Sequence, residues 1–142
     1  MSTGFFKVPI PFNESNITYA PGTPERSLLK KQLKQYKSET ADLPMMIGGK
    51  EIRTGKKIEI HPPHEINHLL GYYHKGGTEE VKLAIDAALK AKPEWERMSW
   101  EHRSAIFLKA ADLLSGPYRD KINAATMLCQ SKNAFQAEID AA

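Results

Sequence analysis

The sequence predicts a mostly α-helical chain that carries an extended N-terminal arm and a small antiparallel β-hairpin region. Three observations predict it. Apolar residues recur at helical spacing behind capping residues, first after Thr23 and again from Thr78 onward. Between Pro44 and Pro62 the pattern changes to short apolar or alternating runs punctuated by glycines. Ahead of residue 23, Pro9, Pro11 and Pro21 restrict the backbone while Asn13, Ser15 and Asn16 favour turns. Residues 1–22 therefore read as an arm lying on another surface.

Thr23 has the chemistry of an N-cap, with Pro24 at the first helical position and Glu25 in the first turn. Leu29, Leu33 and Tyr36 follow at helical spacing, which predicts a helix over 24–38. Met45-Met46-Ile47 is short and apolar, and Gly48-Gly49 can take the positive φ of a tight hairpin. Thr54-Gly55-Lys56 signals a second turn. Lys57-Ile58-Glu59-Ile60 then alternates as a half-exposed strand does. A third strand is expected over Asn67–Tyr73.

After Gly76-Gly77, Thr78 is expected to cap a strong helix, with Glu79 and Glu80 complementing its dipole. Val81, Ala84, Ile85, Ala88 and Leu89 make its apolar face, and Pro93 should end or kink it. Ser99 caps the next helix, whose stripe is Ile106, Ala110, Leu113 and Leu114, and Ser115-Gly116-Pro117 breaks it. Pro117 suits the first position of a further helix, with Tyr118, Ile122, Ala125 and Cys129 on one side. Ser131 to Asn133 punctuates again. Phe135, Ile139 and Ala142 begin one more face. That face has no stop signal before Asp140-Ala141-Ala142, so truncation within a helix is expected.

At 142 residues the chain fits one ordinary domain, and 41% hydrophobic with 26% charged residues is usual for a soluble protein. The net charge of +3 is too slight to mark a nucleic-acid binder. No apolar run approaches the roughly 20 residues that span a bilayer. Cys129 is the only cysteine, which favours a reducing compartment. Without a signal or transit pattern at the start, the cytoplasm is expected.

Each motif with possible chemistry has a plainer reading. His64 and His68 stand four apart with His61 nearby, but Pro62 and Pro63 spoil a helical metal pair, so turn and surface histidines are expected and no metal. Cys129 sits on an apolar helix face near a C-terminus, where the dipole raises a thiol pKa, so a buried packing role is expected. Lys30, Lys31, Lys34 and Lys37 read as a solvated helix face. Gly48-Gly49 and Gly76-Gly77 match no phosphate loop and read as turns. Among Gln136, Glu138 and Asp140, the residues alone suggest only charges that suit a helix start.

The order of elements resembles the start of the aldehyde dehydrogenase superfamily. Met46-Ile47-Gly48-Gly49-Lys50-Glu51 is similar to its opening hairpin. The runs Thr78–Ala88 with Trp95, and Arg103–Leu114, are similar to its first two long helices. Narrower segments, Ile106–Pro117, Ala125–Asn133, Gln136–Ala142 and Gly22-Thr23-Pro24-Glu25-Arg26, resemble the 1-pyrroline-5-carboxylate dehydrogenases within that superfamily. The resemblance implies an α/β parent fold, of which 23–142 is an incomplete N-terminal part. It implies a parent enzyme of proline breakdown that oxidises glutamate γ-semialdehyde to glutamate with NAD through a Cys thiolate. It also implies a homo-oligomer with a small-molecule substrate, no nucleic acid and no membrane. A mitochondrial matrix location would apply to a eukaryotic member with its transit peptide removed. The family's nucleophile, base and cofactor segment lie later than this chain reaches. No catalytic or cofactor-binding residue is therefore expected here, Cys129 does not match the nucleophile motif, and the fragment alone should be inactive. Glu138, in Gln136-Ala137-Glu138-Ile139-Asp140, is implied as a substrate-pocket residue. Two alternatives stand beside this reading: a stand-alone helical interaction module and, ranked last, a nucleic-acid binder through the lysine face.

Overall fold

The computed structural model describes Phe12 and residues 14–141, so most of the expected arm lies outside the described residues. Its first helix, α1 (Pro24–Ser38), has the predicted bounds. Thr23 caps it by accepting a hydrogen bond from the Arg26 backbone N–H. Five short strands follow: β1 (Ala41–Leu43), β2 (Met45–Ile47), β3 (Lys50–Ile52), β4 (Lys57–Ile60) and β5 (Gly71–His74). Four helices complete the chain: α2 (Thr78–Arg97), α3 (Trp100–Ser115), α4 (Arg119–Gln130) and α5 (Ala134–Ala141).

β2 and β3 form the predicted hairpin, with Gly48 and Gly49 at φ 57° and 77°. The other three strands form a mixed sheet in the order β1-β5-β4. β4 and β5 are antiparallel, whereas β1 runs parallel to β5 with Ala41 opposite Gly71. The β region is thus more than the antiparallel one expected. Strand structure begins at Gly71 rather than Asn67, because 62–68 is occupied by turns in which Glu65 and His68 backbone N–H groups bond back to Pro62 and Glu65. Gly71 permits the parallel pairing: a Cβ there would lie 2.3 Å from the Ala41 carbonyl oxygen.

Other boundaries also move. Gly77, not Thr78, is the N-cap of α2, and its N–H donates to Glu80 Oε2 at 2.7 Å. Pro93 lies inside α2 and does not end it. The cost of the proline is offset by packing beyond it, where Trp95 meets Phe107 of α3 edge-on at 6.4 Å. Pro117 sits in the turn before α4, which starts at Arg119 behind Tyr118.

The core lies between α1 and α4. Tyr19, Leu29 and Ala124 are buried, with Ile17, Leu33, Tyr36, Met127 and Ala134 packed against them. The buried stripe of α4 is Asn123, Ala124 and Leu128, rotated from the side expected from Ile122 and Cys129. In α5 the buried residues are Ala137 and Glu138, while Phe135 and Ile139 face outward. In α5 the large apolar residues are not the ones facing inward, because that face carries the buried Glu138 between small alanines. α2 and α3 bury no residue at all. Val81, Ile85, Leu89, Ile106, Phe107 and Leu108 are all about half or more exposed.

Candidate functional site

One buried charge organises the region where α4, α5 and the segment before α1 meet. Asn133 and Gln136 cap α5 reciprocally, each side-chain oxygen accepting the other's backbone N–H at 2.9 and 3.1 Å. Started there, α5 carries Ala134, Ala137, Glu138 and Ala141 along one face, and Glu138 enters the interior with 1% of its surface exposed. Arg119, the first residue of α4, pairs with it: Nη2 donates to Glu138 Oε1, and Nε donates to Oε2 at 3.3 Å. Tyr19 OH, Asn123 Nδ2 and the Ile17 backbone N–H donate to the same carboxylate at 2.8, 2.7 and 2.9 Å. Asn123 Nδ2 also reaches Tyr19 OH at 2.8 Å. Arg119 further donates to the carbonyls of Ser15 (2.9 Å) and Ser115 (3.3 Å).

The electrostatics follow. Burial alone would raise the Glu138 pKa, but the donors from Arg119, Ile17, Tyr19 and Asn123 outweigh it and hold it at about 2. Burial, reinforced by its bond to Glu138, pushes the Tyr19 hydroxyl up to about 12. Glu138 is therefore ionised and Tyr19 neutral throughout the physiological range. Both carboxylate oxygens already accept more than one donor, so Glu138 is a poor proton acceptor and well suited to tying segments together. The sequence, through its resemblance, singled out Glu138 but none of its partners.

A second cluster ties the strands. His74 is 4% exposed; its Nε2 bonds Asp42 Oδ1 at 3.1 Å and its Nδ1 accepts the Gly55 N–H at 3.2 Å. That second bond fixes the proton on Nε2 in the neutral ring. Asp42 also meets Lys57 at 3.2 Å and Arg53 at 3.6 Å, and the Lys57 bond lowers its carboxyl pKa. Sequence reading passed over His74, whose neighbours come from β1 and from the turn before β4.

The histidines weighed for metal are apart in function. His61 bonds Glu59 and the His68 carbonyl, while His64 bonds Ser131 Oγ at 2.8 Å. Among the described residues no group of three or more His, Cys, Asp or Glu could hold a metal ion. Lys30, Lys31 and Lys34 are exposed, and Lys37 pairs with Glu65. Cys129 is exposed rather than buried as expected, because the inward stripe of α4 is the one through Leu128. It borders an apolar cavity of about 220 Å³ with Tyr36, Leu43, Ile60, Leu70 and Leu128. Partial burial raises its thiol pKa, which keeps it protonated and weakly nucleophilic. Gly48-Gly49 is a hairpin turn, and the Gly77 N–H at the start of α2 is taken by Glu80.

Comparison with known proteins places this geometry. Residues 50–142 match the model of the aldehyde dehydrogenase family. A delta-1-pyrroline-5-carboxylate dehydrogenase of Agaricus bisporus is 49% identical over 138 residues, 96% of this chain and 25% of that protein. The mitochondrial enzyme of that name from Dictyostelium discoideum is 44% identical over 137 residues, 95% of this chain and 24% of its own length. The Mycobacterium tuberculosis delta-pyrroline-5-carboxylate dehydrogenase, solved with NAD bound, superimposes with a TM-score of 0.94 at 42% identity. That match covers 99% of this chain and 26% of the solved one. The chain thus spans about a quarter of the length of the relatives it matches. With β3 to β5 and all of α2 to α5 inside the matched residues, the chain belongs to the aldehyde dehydrogenase family.

Proposed function

We propose that this chain is the N-terminal portion of an NAD-dependent 1-pyrroline-5-carboxylate dehydrogenase, which oxidises L-glutamate γ-semialdehyde to L-glutamate in proline degradation. The observation that carries the reading is the 49% identity over 138 residues to a relative of that name. In this reading the nucleophile and the NAD site belong to residues outside this chain, and residues 14–141 serve as scaffold. The exposed apolar faces of α2 and α3 pack against the rest of the enzyme, which acts as a homo-oligomer on a small-molecule substrate. Among the described residues no helix is long and apolar enough to cross a membrane. The cytoplasm is the proposed location, or the mitochondrial matrix in a eukaryotic source; the name of the Dictyostelium relative calls that protein mitochondrial. Glu138 supports the neighbouring substrate region by holding α4, α5 and the preceding segment together, since its carboxylate is enclosed and fully engaged.

The test is the reading frame beyond the Ala142 codon. It should continue into a dinucleotide-binding segment and a reactive cysteine; a stop codon directly after Ala142 contradicts the proposal. The same exposed faces of α2 and α3 favour a second reading, a stand-alone interaction module, which would retain a specific protein partner in a pull-down with purified residues 1–142.

A further inference from the structure

Residues 14–22 attach to the molecule differently from the helices beneath them. They form neither strand nor helix, and most of their side chains are exposed. Only the Tyr19 ring is buried, with Ile17 half-buried beside it. The remaining attachment is polar. The Ile17 N–H and the Tyr19 hydroxyl end on Glu138, the Ser15 carbonyl accepts from Arg119, and the Tyr19 carbonyl accepts from Arg26 Nη1 at 3.0 Å. Tyr19 itself has φ 53°, a left-handed conformation that is strained for a bulky residue. The segment is therefore held in a strained shape by one buried ring and by hydrogen bonds to Glu138, Arg119 and Arg26.

The helices below share contacts of their own. Beside the Tyr19 ring that residues 14–22 contribute to the core, α1 and α4 bring Leu29, Leu33, Ala124 and Met127, and the Arg119–Glu138 pair joins α4 to α5 directly. Segments with little apolar burial and few backbone bonds open at lower free energy than the elements they cover.

We propose that residues 14–22 form a detachable strap latched by the Glu138 carboxylate, with Arg119 as the positioning residue that aims that carboxylate. The strap lifts as a unit, carrying the Tyr19 ring out of the α1–α4 cleft and the Ile17 N–H off Glu138. α1, α4 and α5 stay folded. Lifting exposes two buried acceptors, the Glu138 carboxylate and Asn123 Oδ1, which has no partner among the described residues.

Hydrogen exchange read by mass spectrometry on the full natural chain tests this, in urea below the global midpoint. The strap peptide should lose protection at lower urea than peptides covering 24–38 and 119–130. Glu138→Gln should speed strap exchange by about tenfold or more beyond any change it causes in the α1 peptide, because a hydrogen bond to a charge is lost. Tyr19→Phe keeps the ring and should give a smaller increase, and this variant carries the test if the Gln variant does not fold. Simultaneous loss of protection by strap and helices in the wild type, or no change in strap exchange in both variants, overturns the proposal.

Discussion

A carboxylate enclosed by protein keeps its charge only if donors replace the water it has lost, and Glu138 has five donor atoms around it. Removing the charge leaves Arg119 buried beside an unmatched partner. Glu138→Gln should therefore cost about 3–5 kcal/mol of stability, read as a lowered urea midpoint of the full natural chain. The same residue sets an acid dependence. Its folded pKa of about 2 lies below its ordinary 4.5, so its contribution is complete above pH 4.5 and is lost as pH falls from 4.5 toward 2. The size of that loss is about 3 kcal/mol, and the Gln variant should not show it. A stability profile with the same acid limb in wild type and variant would contradict this. From sequence, Glu138 emerged only through resemblance. Tyr19 lies 119 residues away and Asn123 only 15, and neither carries a local mark of the contact. The one available signal was a lone acidic residue within the small-residue face Ala134, Ala137, Ala141.

At the scale of elements, local chemistry was a good guide wherever it decided the outcome. Thr23 and Pro24 start α1, Gly48-Gly49 turns the hairpin, and Ser99 caps α3 by accepting the His102 backbone N–H. It failed where a distant neighbour decides. β1 is three residues long, with every residue exposed, and gains its identity only from pairing in parallel with β5. Gly71 between Leu69-Leu70 and Tyr72-Tyr73 was the clue to that close approach. Gly71→Ala would force its methyl into the Ala41 carbonyl and should lower stability by about 1–3 kcal/mol, measured by thermal unfolding. An unchanged melting temperature would show that β1 is not held as described. The buried faces of α4 and α5 were misjudged for a related reason. Periodicity ranks faces by hydrophobicity, but this site buries an asparagine and a glutamate whose polarity is satisfied across segments.

For the molecule as a whole, the distribution of apolar surface matters most. Two of its longest elements, α2 and α3, bury nothing, and their Trp100, Ile106, Phe107 and Leu89 remain 49–66% exposed. A surface of that kind marks an interface. Residues 1–142 produced alone should self-associate, and Leu89→Lys with Phe107→Lys should shift the population toward monomer in light scattering. A monomeric wild-type chain with a sharp two-state transition would count against the scaffold reading. The most direct test of that reading is NADH formation from NAD and glutamate γ-semialdehyde, measured side by side for the full natural chain and for residues 1–142. The account predicts turnover by the full chain and none by the fragment. Turnover by the fragment, or none by the full chain, would contradict it.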